Sequence, residues 1–231
     1  MFGKNAVMKQ DLTTGDALRV KEIFFTIQGE GPCAGQRAVF IRLHGCNLRC
    51  FFCDTYFEGE HRVMTASEIH AEVSGLMPEG LVVISGGEPM LQNIAPLCEL
   101  LLADSYLPQI ETAGTVWVPD LPEDVLIVCS PKTPSVHAMI AERCRHWKYI
   151  IRAGEQSEAD GLPAYSTQVE SKVQPLYRPP AWLYDATIYV QPMDEPRRWD
   201  GAVENTKAAA DACMKYGYRL SIQVHKIVGV P

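Results

Sequence analysis

Cys46, Cys50 and Cys53 share one eight-residue window, Cys46-Asn47-Leu48-Arg49-Cys50-Phe51-Phe52-Cys53, spaced by three residues and then two. Four thiolates close a structural zinc site or a plain electron-transfer cluster. Three close neither. On a cubane iron–sulfur cluster three cysteines hold three irons, and the fourth iron keeps an open position at which a reactant can bind. A zinc site, with Cys33, His44 or His61 as fourth ligand, stays open as the other reading of the same loop.

More polar groups stand where a parallel sheet would put its ligands, beyond the carboxyl ends of the strands. His44-Gly45 and the cysteine loop follow Leu43, and Ser85-Gly86-Gly87-Glu88-Pro89 follows Ile84. Glu111-Thr112-Ala113-Gly114, Ser130-Pro131-Lys132, Gln191-Pro192-Met193-Asp194 and His225-Lys226 end four further apolar runs. In Gly86-Gly87-Glu88-Pro89 two residues without side chains let backbone approach a ligand closely. Carbonyls and a carboxylate there suit a ligand bearing an ammonium group.

The elements that must position these groups are legible as alternation. Short runs rich in Val and Ile (Val39–Leu43, Leu81–Ser85, Leu107–Glu111, Val125–Ser130, Trp147–Ile151, Thr187–Gln191, Arg219–Val224) read as buried parallel strands. Thr65–Met77 carries Ile69, Val73, Leu76 and Met77 on one helical face, and Thr65 with Glu68 has capping-box spacing. Leu91–Ala103 and Val203–Tyr216 read as two more helices. Strand–helix alternation implies right-handed crossovers between parallel strands. Val20–Ile27 and Ala38–Leu43 read as a hairpin ahead of them. A closed eight-fold barrel takes about 250 residues; a chain of 231 that spends its first forty otherwise fits a partial, open barrel better. The expectation is one α/β domain over 1–231, with an extension at 1–19 and an aperiodic, variable crossover at 152–185.

Composition narrows the partners. Hydrophobic residues at 47% and charged residues at 21% are ordinary for a soluble globular protein. A net charge of −7 weighs against nucleic acid, whose phosphates call for a basic face. No apolar run is long enough for a membrane span or a secretory leader. Reduced cysteines in the cytoplasm are the expectation for this chain. Cys98 falls at a core position of a helix, Cys129 ends an apolar strand, and Cys33, Cys144 and Cys213 read as free thiols.

Cys46-x3-Cys50-x2-Cys53 followed by Gly86-Gly87-Glu88-Pro89 resembles the radical S-adenosylmethionine superfamily. Ile27-Gln28-Gly29-Glu30-Gly31, Arg42, Cys53-Asp54-Thr55, Ser130-Pro131-Lys132, Gln191-Pro192-Met193-Asp194 and Gln223-Val224-His225-Lys226 narrow the resemblance, over about Val20 to Pro231, to the 7-carboxy-7-deazaguanine synthase family. It implies an open (β/α)6-type radical-SAM barrel with an N-terminal hairpin. The implied lyase converts 6-carboxy-5,6,7,8-tetrahydropterin to 7-carboxy-7-deazaguanine with loss of ammonia, for queuosine and other 7-deazapurines. An adenosyl radical, rather than a protein acid or base, does the chemistry.

By the same resemblance Cys46, Cys50 and Cys53 hold a 4Fe–4S cluster. Phe52, Asp54, Gly87, Glu88, Ser130, Pro131, Lys132, Gln191, Pro192, Met193 and Asp194 hold S-adenosylmethionine. Ile27, Gln28, Gly29, Glu30, Arg42, Ser85, His225 and the carboxylate of Pro231 meet the pterin, and Thr55 binds Mg2+. A homodimer and a flavodoxin- or ferredoxin-like electron donor are implied as well. Ser85 stands where Thr is common, Val224 where Thr often precedes His-Lys, and the tail Ile227–Pro231 departs from the usual ending. Two alternatives are a glycyl-radical activase of the same superfamily and a non-catalytic zinc-binding module.

Overall fold

A computed structural model describes residues 4–13, 15–168, 174–195 and 199–231. One nine-stranded sheet dominates it. Strands β1 (Ala17–Ile27) and β2 (Arg37–Leu43) form the expected hairpin, and β3 (Arg62–Thr65) adds antiparallel to the outer side of β1. From β2 onward the sheet is parallel: β4 (Gly80–Gly86), β5 (Tyr106–Thr112), β6 (Leu126–Cys129), β7 (His146–Ile151), β8 (Thr187–Pro192) and β9 (Arg219–Leu220) follow in chain order. The spatial order is β3-β1-β2-β4-β5-β6-β7-β8-β9, so the sheet stays open with β3 and β9 at its edges.

Helices α1 (Ala66–Leu76), α2 (Ala95–Ala103), α3 (Ala138–Arg143) and α4 (Trp199–Tyr216) fall between strands. Thr65 caps α1 as its spacing predicts: its hydroxyl accepts from Glu68 N at 3.3 Å, and the Glu68 carboxylate accepts from Thr65 N at 2.8 Å. Glu88 to Gln92 is taken by a one-turn 3-10 helix over Pro89–Leu91, so α2 starts later than the apolar period from Leu91 implies.

The period of two along each strand divides two environments. Val39, Ile41, Val82, Ile84, Ile110 and Ile127 join the main core with α1 and α2. The intervening residues face the other side. Near the strand starts they are apolar: Ala38, Leu81 and Val83 form a small inner core with Cys33, flanked by Phe40 and Leu126. Toward the strand ends the same rows turn polar, and Arg42, Ser85, Glu111, Ser130, Lys148 and Gln191 line a cavity. The rows of β2 and β4 thus start in a hydrophobic plug and end at the cavity.

One strand expectation needs correction. The run Arg219–Val224 pairs only at Arg219–Leu220, and Val224–Val228 turns into a short helix, α5. Strand β3 was not anticipated; its run is short, with Arg62 and Val63 both exposed. Among its described residues the crossover at 152–185 carries isolated bridges, and one of them joins Gln168 to Cys50. No helix is long and apolar enough to cross a membrane among the described residues.

Replacing Thr65 with Ala should remove the hydroxyl's bonds to Glu68, leave the backbone N–H bond to the Glu68 carboxylate, and cost about 1 kcal/mol. A urea midpoint lowered without loss of cavity function is the expected outcome.

Candidate active site

The cysteine loop leaves the end of β2 and turns back against the end of β4. That approach dictates two glycines. A Cβ on Gly86, whose φ is +132°, would lie 2.1 Å from Leu43 O, and one on Gly87 would lie 2.2 Å from Gly45 O and 2.6 Å from Cys46 Cβ. The pair therefore makes room for the neighbouring backbone as well as for a ligand. Residues 4–13 strap the loop from outside: Met8 N donates to Cys46 O at 2.9 Å, Asn5 Nδ2 to Leu48 O at 2.8 Å, and Gln10 Nε2 to Met90 O at 2.8 Å.

All three loop cysteines are free thiols and line one cavity of about 370 Å3. Burial pushes the Cys46 thiol up to about 12, against the pull of the Leu48 N–H, and raises Cys53 as well. Unpaired thiols arrayed on one loop around an open cavity suit a cluster that keeps one position for a ligand. Among the described residues no three His, Cys, Asp or Glu side chains are grouped to hold a single ion. Of the candidate fourth zinc ligands, Cys33 belongs to the inner core, while the His44 and His61 rings pack on each other with centroids 4.2 Å apart.

The structure brings most of the predicted residues to this cavity. Phe52, Asp54, Thr55 and Gly87 line it beside the cysteines, with Ser130, Lys132 and Gln191 to Asp194 further along the strand ends. Ile27, Gln28, Glu30, Arg42, Ser85, His225 and Pro231 line it too. Gly29, Glu88 and Pro131 do not. Gly29 gives the His225 ring its place, because a Cβ there would lie 1.8 Å from Nδ1. Glu88 is fully buried, and its carboxylate accepts from Thr112 Oγ1 at 2.8 Å, Ala113 N at 2.8 Å and Met90 N at 3.1 Å. Burial pushes that carboxyl up to about 7 despite those donors. The side chain ties the end of β4 to β5 instead of facing the cavity.

Other contacts set the walls. Arg42 pairs with Glu22 at 3.1 Å and lies over the Phe24 ring. Lys132 Nζ reaches both oxygens of Ser130, and burial lowers its basicity. Lys226 Nζ holds Asp194 at 2.6 Å and Asp54 at 3.1 Å. Thr26 Oγ1 donates to the Pro231 main-chain oxygen at 2.7 Å, which holds Pro231 at the cavity.

Sequence reasoning missed the charge at the floor. Lys148 Nζ lies 2.5 Å from Glu30 and 2.8 Å from Glu111, and the three side chains are 7%, 17% and 16% exposed. Gln191 and Gln223 donate to Glu30 Oε1 at 3.0 and 2.7 Å, and Gln109 donates to Glu111 at 2.8 Å. Burial works to raise the Glu30 carboxyl, but the Lys148 charge and these donors prevail and bring it down to about 2. Burial opposes the Lys148 charge as well, and the two carboxylates more than offset it. The available signal was a lysine inside the apolar run Trp147–Ile151, on the row that also carries Ile150 into the cavity.

Lys148→Met should cost about 3–5 kcal/mol, since it leaves two buried carboxylates without their cation. The Glu30 carboxyl is depressed, so its stabilisation is complete above its ordinary value of 4.5 and is lost as pH falls toward 2. Urea titrations across that acid range should show a slope that Glu30→Gln flattens.

Comparison with known proteins agrees with this geometry. Residues 40–145 match the Radical SAM superfamily. The chain is 42% identical to the 7-carboxy-7-deazaguanine synthase of Rhodospirillum rubrum over 238 residues, which span all of both proteins. It is 37% identical to that of Rickettsia prowazekii, over all of this chain and 96% of the relative. The crystal structure of QueE from Escherichia coli superposes with a TM-score of 0.69 at 27% identity, covering 90% of this chain and 94% of that one. These relatives favour neither the glycyl-radical activase nor the zinc-binding module. Full-length identity, shared fold and the three cysteines lining the cavity place the chain in the 7-carboxy-7-deazaguanine synthase family of radical S-adenosylmethionine enzymes.

Proposed function

We propose that the cavity turns 6-carboxy-5,6,7,8-tetrahydropterin into 7-carboxy-7-deazaguanine with loss of ammonia. The observation that carries this reading is the meeting of three unpaired loop cysteines and a clamped carboxylate pair, Glu30 and Glu111, in one cavity. In a radical S-adenosylmethionine enzyme the bound 4Fe–4S cluster and S-adenosylmethionine supply one-electron chemistry that abstracts hydrogen. The remaining work belongs to the side chains.

In this reading Cys46, Cys50 and Cys53 hold the cluster. The strand-end groups Gly87, Ser130, Lys132 and Gln191 to Asp194, with Phe52 and Asp54, hold S-adenosylmethionine. Glu30 and Glu111, both paired with Lys148, accept from the amino-pyrimidinone edge of the pterin, with Gln28 beside them. Arg42 presents a planar fork that pairs with the substrate carboxylate, exchanging its partly exposed partner Glu22 for it. Ser85, His225 and Pro231 border the substrate space. Thr55 offers a hard oxygen to Mg2+, an ion that takes its other ligands from substrate and water. A flavodoxin- or ferredoxin-like donor, a homodimer and a cytoplasmic location complete the reading.

Anaerobically reconstituted protein incubated with the pterin, S-adenosylmethionine, Mg2+ and reductant should release 7-carboxy-7-deazaguanine, identified by mass. Cleavage of S-adenosylmethionine without that product would overturn the substrate assignment. Thr55→Ala should reduce the stimulation of turnover by Mg2+ while iron and sulfide content stay at wild-type levels. Full Mg2+ stimulation in the variant would remove Thr55 from the metal site.

A further inference from the structure

The aperiodic crossover between β7 and β8 delivers two side chains to one cysteine sulfur. Thr167 Oγ1 and Gln168 Nε2 each lie 3.3 Å from Cys50 Sγ. Both can act as donors to it, and the surrounding bonds favour that arrangement.

Gln168 is oriented by its own oxygen. Oε1 accepts from Arg49 N at 2.7 Å, so the amide nitrogen must be the end that faces Cys50. That nitrogen has two hydrogens, and the second reaches Thr167 Oγ1 at 3.2 Å. Thr167 then holds an occupied acceptor position and one proton to place. Its other neighbour, Lys132 O at 3.3 Å, already accepts from Thr167 N at 3.1 Å and from Ser166 Oγ at 2.9 Å. With both lone pairs of that carbonyl taken, the hydroxyl proton goes to sulfur. Thr167 is 7% exposed, so water competes poorly for it.

The backbone clamps this pair in register. Phe51 N donates to Thr167 O at 3.3 Å, and with Arg49 N on Gln168 it brackets Cys50 from both sides. The other two cysteines are treated differently. Cys46 Sγ receives the Leu48 N–H at 3.4 Å, and Cys53 Sγ faces the Thr55 carbonyl, an acceptor, at 3.8 Å.

Hydrogen bonds to a cluster's sulfurs help to set its reduction potential. A donor withdraws charge from the thiolate and favours the reduced, more negative state. We propose that Thr167 and Gln168 are positioning residues for the cluster, acting through Cys50 to raise its reduction potential. The inference rests on the reading that Cys50 is a cluster ligand, and it assigns a task to part of the crossover that links β7 to β8.

The test is a potentiometric titration of reconstituted protein followed by electron paramagnetic resonance, with iron and sulfide counted in each sample. Thr167→Val removes the hydroxyl and keeps the backbone bond to Lys132. Gln168→Leu removes the amide, and Thr167→Ser restores the hydroxyl. Thr167→Val and Gln168→Leu should each shift the reduction equilibrium about tenfold toward the oxidised cluster, about 59 mV for one electron. Thr167→Ser should match the wild type. An unchanged potential in both variants at full iron content overturns the proposal. So does loss of cluster uptake that Thr167→Ser shares and that is accompanied by a lower melting temperature, since it assigns the pair a purely structural role. Reduced uptake at wild-type melting temperature, rescued by Thr167→Ser, supports it. Cys50→Ala separates the underlying reading: a full complement of iron and sulfide in that variant would remove Cys50 from the ligand set.

Discussion

An ammonium group held between two carboxylates at the floor of the cavity is the interaction on which the site depends. Lys148 comes from β7, Glu111 from β5 and Glu30 from the turn after β1, so one cation joins three distant parts of the chain. Burying such a triad is costly unless every charge finds partners. The supporting glutamines come from β5, β8 and the segment before α5. An open sheet has no closing strand pair to hold its ends in place. Here the polar network does part of that work, tying the β1 turn and the C-terminal segment to the inside of the sheet.

Above this floor the walls are assembled by close backbone approach. Gly86 and Gly87 let the end of β4 touch the segment Leu43–Cys46, and Glu88 is consumed in fastening β4 to β5. The acidic residue of Gly-Gly-Glu-Pro thus acts on the fold, while the glycines bring backbone to the cavity. The cysteine loop is then enclosed by two segments with little regular structure. Residues 4–13 bond to Cys46 and Leu48, and residues 167–168 bond to the flanks of Cys50. Neither segment supplies a long strand or helix, yet both restrict the loop that carries the cysteines.

Much of the architecture was legible because it depends on local pattern. The period of two in β2, β4, β5, β7 and β8, the Thr65–Glu68 spacing and the apolar face of α1 are each decided within a few residues. The placement of Arg42, Ser85 and Ser130 along one cavity follows from the same period, since they close rows whose earlier members are apolar. The short pieces were not legible. β3 pairs four residues and β9 two, lengths at which neighbours decide more than propensity does.

By itself the sequence determined that three cysteines stand one short of a closed site, that the strands after the hairpin are parallel and that polar motifs gather at their ends. Those are properties of types and spacing. Tertiary structure decided which of the polar residues face the cavity and which are spent on the fold. Glu88 and Lys148 exchanged the roles their surroundings in sequence implied: the carboxylate beside the glycines turned inward, and the lysine in an apolar strand became the anchor of the site. The reason is that a buried polar group goes wherever its partners are, and apart from Met90 those partners lie between 24 and 118 positions away in the chain.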